Sequence, residues 1–179
     1  MSRIIIAFGL VAGLIIVVPM FTLLFISDPG SLGHAEIVGF SFMFLGFSLI
    51  FVGVKRFRDR ALGGVIRFVP AFLLGLGISA VATLVYIVSW EITLALTNYA
   101  FLETYPAQAI EAARAKGKSA AEIAKLTADM QSMMTWYRNP FLRMPMTTIE
   151  IFPVGLLVSL VSAGLLRNSR FLPMKVVQG

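Results

Sequence analysis

The sequence predicts an all-α fold, a four-helix transmembrane bundle with an extramembrane helical hairpin between helices three and four. Composition is the first reason: 58% of the 179 residues are hydrophobic and only 13% are charged, whereas soluble domains carry about 25% charged residues. The second reason is a set of four apolar runs, each near the roughly 20 residues that cross a bilayer. We therefore treat 1–179 as a single membrane domain with helices near 4–26, 37–54, 69–90 and 147–166.

The first run contains no charge and is longer than the roughly 7–15 residues of a signal-peptide core, which predicts an uncleaved signal anchor. Pro153 lies inside the fourth run and is expected to bend that helix. The loop Ser27–Glu36 has two acids and no Lys or Arg, whereas Lys55–Phe68 has five bases. The positive-inside rule then predicts that Lys55–Phe68 and both termini are cytoplasmic.

The segment 102–146 lies outside in this topology and carries its own helix signals. Residues 106–116 favour a helix that Gly117 ends, and Ser119 with Glu122 forms the capping-box pattern that starts another. Asn139-Pro140 is expected to end this second helix. The apolar face of the hairpin could rest on the membrane surface, on the bundle or on a partner.

Small residues recur at four-residue spacing in three of the runs, which lets helix backbones approach closely. These stripes could serve packing within the bundle or association with another chain; they consist of Gly9 and Gly13, Gly75 and Ser79, and Gly155, Ser159 and Ala163.

Four ionisable residues are expected near the outer interface: Glu91, Glu150, His34 and Glu36. We treat them as a membrane-carboxylate site because intramembrane acids mark functional positions. Glu91 and Glu150 could instead pair with Arg138 or Arg143 and anchor the hairpin, or they could relay a proton. Four groups of His and Glu type could also bind a divalent metal. No pair has metal-motif spacing, and the chain has no cysteine, so we predict neither a metal nor a cofactor.

A second cluster follows the second helix, where Lys55, Arg56, Arg58 and Arg60 surround Asp59. We call these five residues the basic clasp. They are expected to attract anionic lipid head groups, and a salt bridge to Asp59 is expected to brace the ends of helices two and three. The net charge of +6 is assigned to topology, so nucleic-acid binding is not expected.

The motifs Lys55-Arg-Phe-Arg-Asp59, Gly63-Gly64, Gly117-Lys-Ser and Glu150-Ile-Phe-Pro-Val-Gly155 resemble the bacterial family called domain of unknown function 4199. This resemblance covers nearly the whole chain and implies a four-helix inner-membrane protein without an assigned activity. It singles out the residues Lys55, Arg58, Asp59, Gly64, Glu150, Pro153 and Gly155.

The function expected from these features is that of a non-enzymatic accessory, assembly or interaction subunit, associating with a membrane partner or with copies of itself. The alternative is a small proton-coupled transporter or channel element that acts as an oligomer, using Glu91 and Glu150 with Pro153 and Gly155 as a hinge. A lipid-modifying enzyme is less favoured because catalytic residue types are scarce.

Overall fold

The computed structural model describes residues 1–25 and 32–174, with side chains described at 1–19, 21 and 37–174. Within these ranges every regular element is a helix, which confirms the all-α class. The helices are α1 (Ser2–Phe25), α2 (Leu32–Ala61), α3 (Phe68–Leu96), α4 (Phe101–Ala115), α5 (Ala120–Tyr137) and α6 (Pro140–Leu166). Four of them contain stretches long and apolar enough to cross a membrane: Ser2–Pro19, Ile37–Ala61, Phe68–Leu96 and Pro140–Leu166.

The chain divides into two compact units. The first unit comprises Met1–Val88 and Ile149–Gly179, and the second comprises Ser89–Thr148. The first unit therefore holds α1, α2 and the greater parts of α3 and α6, and the second holds α4, α5 and the remaining ends of α3 and α6.

The core of the first unit is apolar and draws residues from all four of its helices. Its largest fully buried apolar side chains are Phe47, Ile50, Leu74, Ile78, Ile151 and Leu166. Burying such side chains stabilises a fold by about 1.5–3 kcal/mol each relative to water.

Glycines mark the positions where helices of the first unit touch. A Cβ on Gly9 of α1 would come within 2.5 Å of Val81 on α3, and a Cβ on Gly13 would come within 2.6 Å of Val85. A Cβ on Gly46 of α2 would come within 2.8 Å of the Ala12 carbonyl oxygen of α1. The stripe on α1 is therefore occupied by packing within the chain.

Where α3 contacts α6, the small-residue stripe of one helix packs against that of the other. A Cβ on Gly155 would overlap Ser79 Oγ, and a Cβ on Gly75 would lie 3.0 Å from Ser159 Oγ. Ser159 Oγ donates to the Gly155 carbonyl at 2.7 Å, whereas the buried hydroxyl of Ser79 has no hydrogen-bond partner among the described residues. All three small-residue stripes thus serve intramolecular packing.

In the second unit, α4 and α5 pack against each other and are joined by a short turn. Gly117 has a φ of +71°, and the Lys118 N–H donates to the Ala113 carbonyl at 3.2 Å, as in a Schellman motif. Ser119 and Glu122 then form the predicted capping box at the start of α5. The Ser119 hydroxyl and N–H donate to the Glu122 carboxylate and hold its pKa below the ordinary value.

Helix α6 begins at Pro140, earlier than the predicted start at residue 147. Asn139 is its N-cap, because the Asn139 Oδ1 accepts a hydrogen bond from the Phe141 N–H at 3.0 Å. Proline suits the first helical position, where its missing N–H would have no intrahelical partner. The Asn-Pro pair therefore ends α5 and also starts α6.

We predict that Gly155→Ala lowers the free energy of unfolding by about 1–3 kcal/mol, the usual cost of overpacking. The added methyl group would overlap Ser79 Oγ and come within 2.9 Å of Phe47 Cε1. Unfolding in mixed detergent micelles, followed by tryptophan fluorescence, measures the change. Gly164→Ala is the matched control on the same helix, because no atom lies within 4 Å of its Cβ position. Equal stability of the two variants would contradict the close contact.

Candidate functional site

Glu91 and Arg143 form an ion pair in the second unit. Arg143 Nε donates to Glu91 Oε1 at 2.8 Å, and Nη2 donates to Glu91 Oε2. The guanidinium is fully buried, and its Nη1 donates to the Tyr137 carbonyl at 2.9 Å. Arg143 thereby connects the end of α3 with the last turn of α5, as expected for a hairpin anchor.

Aromatic side chains surround this pair. Arg143 Cζ lies 5.7 Å from the ring centroids of both Tyr99 and Tyr137, within the range of cation–π attraction. Trp90 Nε1 donates to the Tyr137 hydroxyl at 2.7 Å, and the Trp90 ring meets Phe101 edge-on at 5.0 Å. These aromatic side chains therefore form a packed cluster around the ion pair, whereas Trp136 remains exposed.

The chain leaves α3 through two consecutive residues in the left-handed region. Asn98 has a φ of +48° and Tyr99 a φ of +59°. The Tyr99 N–H donates to the Leu94 carbonyl at 2.8 Å, and the Asn98 N–H to the Ala95 carbonyl at 3.2 Å, so the turn is a Schellman motif without glycine. This conformation costs a side-chain-bearing residue about 1–2 kcal/mol.

Glu150 lies in the first unit and differs from Glu91. Its side chain is exposed on the surface of α6, and it makes no hydrogen bond or ion pair with a described residue. At about 1.5 Å per residue, it lies about 15 Å along α6 from Pro140. The early start of α6 thus places Glu150 deeper in its helix than the sequence indicated.

His34 and Glu36, the other members of the membrane-carboxylate site, have side chains outside the described residues. Their place near Glu91 or Glu150 stays a prediction. Among the described residues, no group of three or more His, Asp or Glu side chains is arranged to hold a metal ion.

The basic clasp is centred on Arg58, which is fully buried. Arg58 Nε donates to Asp59 Oδ1 at 2.7 Å, and Lys55 Nζ donates to Asp59 Oδ2 at 2.5 Å. The remaining Arg58 donors bind backbone carbonyls at the end of α6 and just beyond it, at Leu166 (3.4 Å), Phe171 (2.9 Å) and Leu172 (2.5 Å).

The brace therefore joins α2 to α6, not to α3 as expected. Both partners of Asp59 lie on α2 itself, and the connection to another helix comes from arginine donors on carbonyl oxygens. This contact could not be predicted from the sequence, because the acceptors are backbone carbonyls and do not depend on which side chains are present. Gly64 supports the same region, since its N–H donates to the Arg58 carbonyl at 3.0 Å and its φ is +91°.

The other two clasp residues, Arg56 and Arg60, are exposed and form no ion pair with a described residue. Three further exposed arginines lie in the loop after α2 and around the end of α6: Arg67, Arg167 and Arg170. The clasp thus divides into two groups. In the first, the buried Arg58 and the half-buried Lys55 and Asp59 are joined by ion pairs; the second consists of the exposed cations.

A comparison with protein families matches residues 7–168 to a family described as protein of unknown function (DUF4199). The match covers most of the chain and confirms the resemblance drawn from the sequence motifs. No curated protein and no solved structure matches the chain. The family description carries no activity, so function has to be argued from the geometry.

We predict that Glu91→Gln destabilises the second unit by about 3 kcal/mol, because it leaves the Arg143 guanidinium buried without its counter-charge. Thermal unfolding of the purified protein, followed by tryptophan fluorescence, measures the loss, because both tryptophans of the chain lie in this unit. Glu111→Gln is the control, because its ion pair with Arg114 at 3.8 Å is exposed and such pairs contribute little. Unchanged stability of Glu91→Gln would contradict the anchoring role.

We predict that Arg58→Gln releases the chain after α6. A hydrogen bond to a charged group contributes about 1.5–3 kcal/mol, so opening of this segment should become at least about tenfold more frequent. Limited trypsin cleavage after Arg167 and Arg170 reports the opening. Arg60→Gln removes an exposed charge from the same helix and should leave cleavage unchanged; similar cleavage of both variants would refute the brace.

Proposed function

The chain belongs to the DUF4199 family of proteins of unknown function, and we propose that it acts as a non-enzymatic accessory or assembly subunit in a membrane. In this proposal α6 offers Glu150 as the contact point for a second copy of the chain or for another membrane protein. The observation that carries the proposal is the exposed carboxylate of Glu150, which lies within an apolar span and pairs with none of the described side chains.

The free-energy cost of an unpaired carboxylate within the membrane favours a partner at this position. A charged side chain at the centre of a bilayer costs about 2.5–3.5 kcal/mol on insertion scales. Ile149 beside it is 72% exposed, so Glu150 lies on an apolar outer surface of the helix. A polar or cationic group from a neighbouring helix would offset the cost.

The outer face of α6 is also free for contact. Gly155, Ser159 and Ala163 face the interior of the first unit, and Gly164 has open space at its Cβ position. The large apolar residues on the exposed side of the helix within this unit are Ile149, Leu157, Leu160, Val161 and Leu165. An association through α6 would use this face and leave the intramolecular contact with α3 unchanged.

Two other carboxylates support a non-enzymatic role, because each is engaged by a buried arginine. Asp59 accepts from Arg58, and Glu91 accepts from Arg143. The transport alternative needs Glu91 and Glu150 to exchange protons and Gly155 to act as a hinge. Glu91 is held in a bidentate pair, and Gly155 is packed against Ser79, so this alternative rests on Glu150 alone.

We extend the proposal to the position of the chain in the membrane. The helices α1, α2, α3 and α6 form the transmembrane bundle, and α4 with α5 forms the hairpin outside it. Both termini lie on the cytoplasmic side of a bacterial inner membrane, where the exposed arginines of the first unit meet anionic lipid head groups. These arginines are Arg56, Arg60, Arg67, Arg167 and Arg170.

The experiment uses the absence of cysteine from the chain. We expect Ile149→Cys to form a disulfide-linked dimer upon mild oxidation in native membranes if the partner is a second copy. A photoreactive residue at 149 should otherwise give one adduct of defined mass. Adding Glu150→Gln should lower the yield about tenfold, since removal of one partner from a buried polar contact costs more than 1.4 kcal/mol.

Leu84→Cys on α3 is the matched control, because Leu84 is also an exposed apolar residue of a span. Equal cross-linking at 84 and 149, or no effect of Glu150→Gln, would refute an interface at this carboxylate. The transport alternative is tested with the protein in liposomes: a pH gradient that wild type dissipates and Glu150→Gln preserves would support it.

A further inference from the structure

The second unit contains a cleft between α4 and α5 with a volume of about 570 Å³. This size is within the range of roughly 300–1,000 Å³ that small-molecule sites occupy. Its apolar walls come from both helices: Leu102, Pro106, Ala107 and Ile110 on α4, and Met130 and Met134 on α5. Such walls suit a hydrocarbon chain, and methionines adapt to its shape.

One end of the cleft is polar. A smaller cavity of about 310 Å³ adjoins it and shares Leu102, Glu103 and Arg138 with it, adding Asn98 and Tyr99. Glu103 and Arg138 are both exposed, and neither forms an ion pair with a described residue. An acidic and a basic side chain therefore line the same opening and form no ion pair with each other.

The polar opening is close in sequence to the ends of two spans. Asn98 follows the end of α3 at Leu96, and Arg138 precedes the start of α6 at Pro140. The opening is therefore expected at the level of the lipid head groups, where a lipid of the surrounding bilayer can reach it. The left-handed residues Asn98 and Tyr99 form part of it, and strained backbone of this kind concentrates at binding sites.

We propose that this cleft binds a phospholipid with a phosphoethanolamine head group. The acyl chain lies between α4 and α5, the Arg138 guanidinium binds the phosphate, and the Glu103 carboxylate accepts hydrogen bonds from the primary ammonium. A head group with both charges matches an adjacent base and acid, whereas a purely anionic head group leaves Glu103 opposed to a like charge. The site is independent of Glu150 and so goes beyond the proposed interaction at α6.

The test uses the full-length chain in nanodiscs with phosphatidylethanolamine that carries a photoreactive diazirine in its acyl chain. Illumination followed by trypsin digestion should place the adduct on the peptide 126–138, which contains Met130 and Met134. Unlabelled phosphatidylethanolamine should compete about tenfold better than phosphatidylglycerol or phosphatidylcholine, a difference that one charge-assisted hydrogen bond supplies.

Two variants separate the two ends of the head group. Measured on the intact protein, labelling should fall about tenfold in Arg138→Gln, and Glu103→Gln should abolish the preference for phosphatidylethanolamine over phosphatidylglycerol. Lys125→Gln and Glu111→Gln are the matched controls, because they remove the same charges from α5 and α4 outside the cleft. Ala107→Phe fills the cleft and should lower labelling without changing charge.

Three outcomes would overturn the proposal: an adduct confined to other peptides, equal competition by the three lipids, or an equal loss of labelling in the control variants. None of these results bears on cross-linking at 149. Failure of the lipid site and failure of the proposed interface are therefore distinguishable.

Discussion

A buried arginine has to satisfy its N–H donors without water, and this requirement organises both units of the chain. Arg58 and Arg143 are fully buried, and each uses one carboxylate for part of its guanidinium. The remaining donors bind backbone carbonyls at or near helix ends: Tyr137 for Arg143, and Leu166, Phe171 and Leu172 for Arg58. Carbonyls at a helix C-terminus have no intrahelical partner, so each arginine also completes the end of a helix.

This arrangement explains why acidic residues in apolar helices need not share one role. Asp59 and Glu91 neutralise arginines that fix the positions of other segments. Glu150 has no such partner among the described residues, although its helix is equally apolar. Because no described residue engages the Glu150 carboxylate, this carboxylate can bind another molecule, which makes α6 the proposed contact surface.

The sequence predicted the all-α class, the four spans and the capping box of α5, because hydropathy and local capping chemistry act over short distances. It also paired Glu91 with Arg143 as one of its alternatives, since opposite charges near one interface attract. The predicted start of α6 was too late because an Asn-Pro pair can end one helix and also begin the next, and Asn139-Pro140 does both. The link from Arg58 to α6 was missed because every residue has the same backbone carbonyl acceptor, so the sequence does not mark which one is used. The cleft between α4 and α5 was not predicted because it depends on how the two helices pack.

The contact of Arg58 with Leu166 and Leu172 joins positions 108 and 114 residues apart. During synthesis, α2 leaves the ribosome long before its carbonyl partners exist. Until α6 and the residues after it are made, the guanidinium has to remain hydrated or find a temporary acceptor. Burial of this arginine is therefore a late step of folding, which can be completed only after α6 and the residues that follow it have been synthesised.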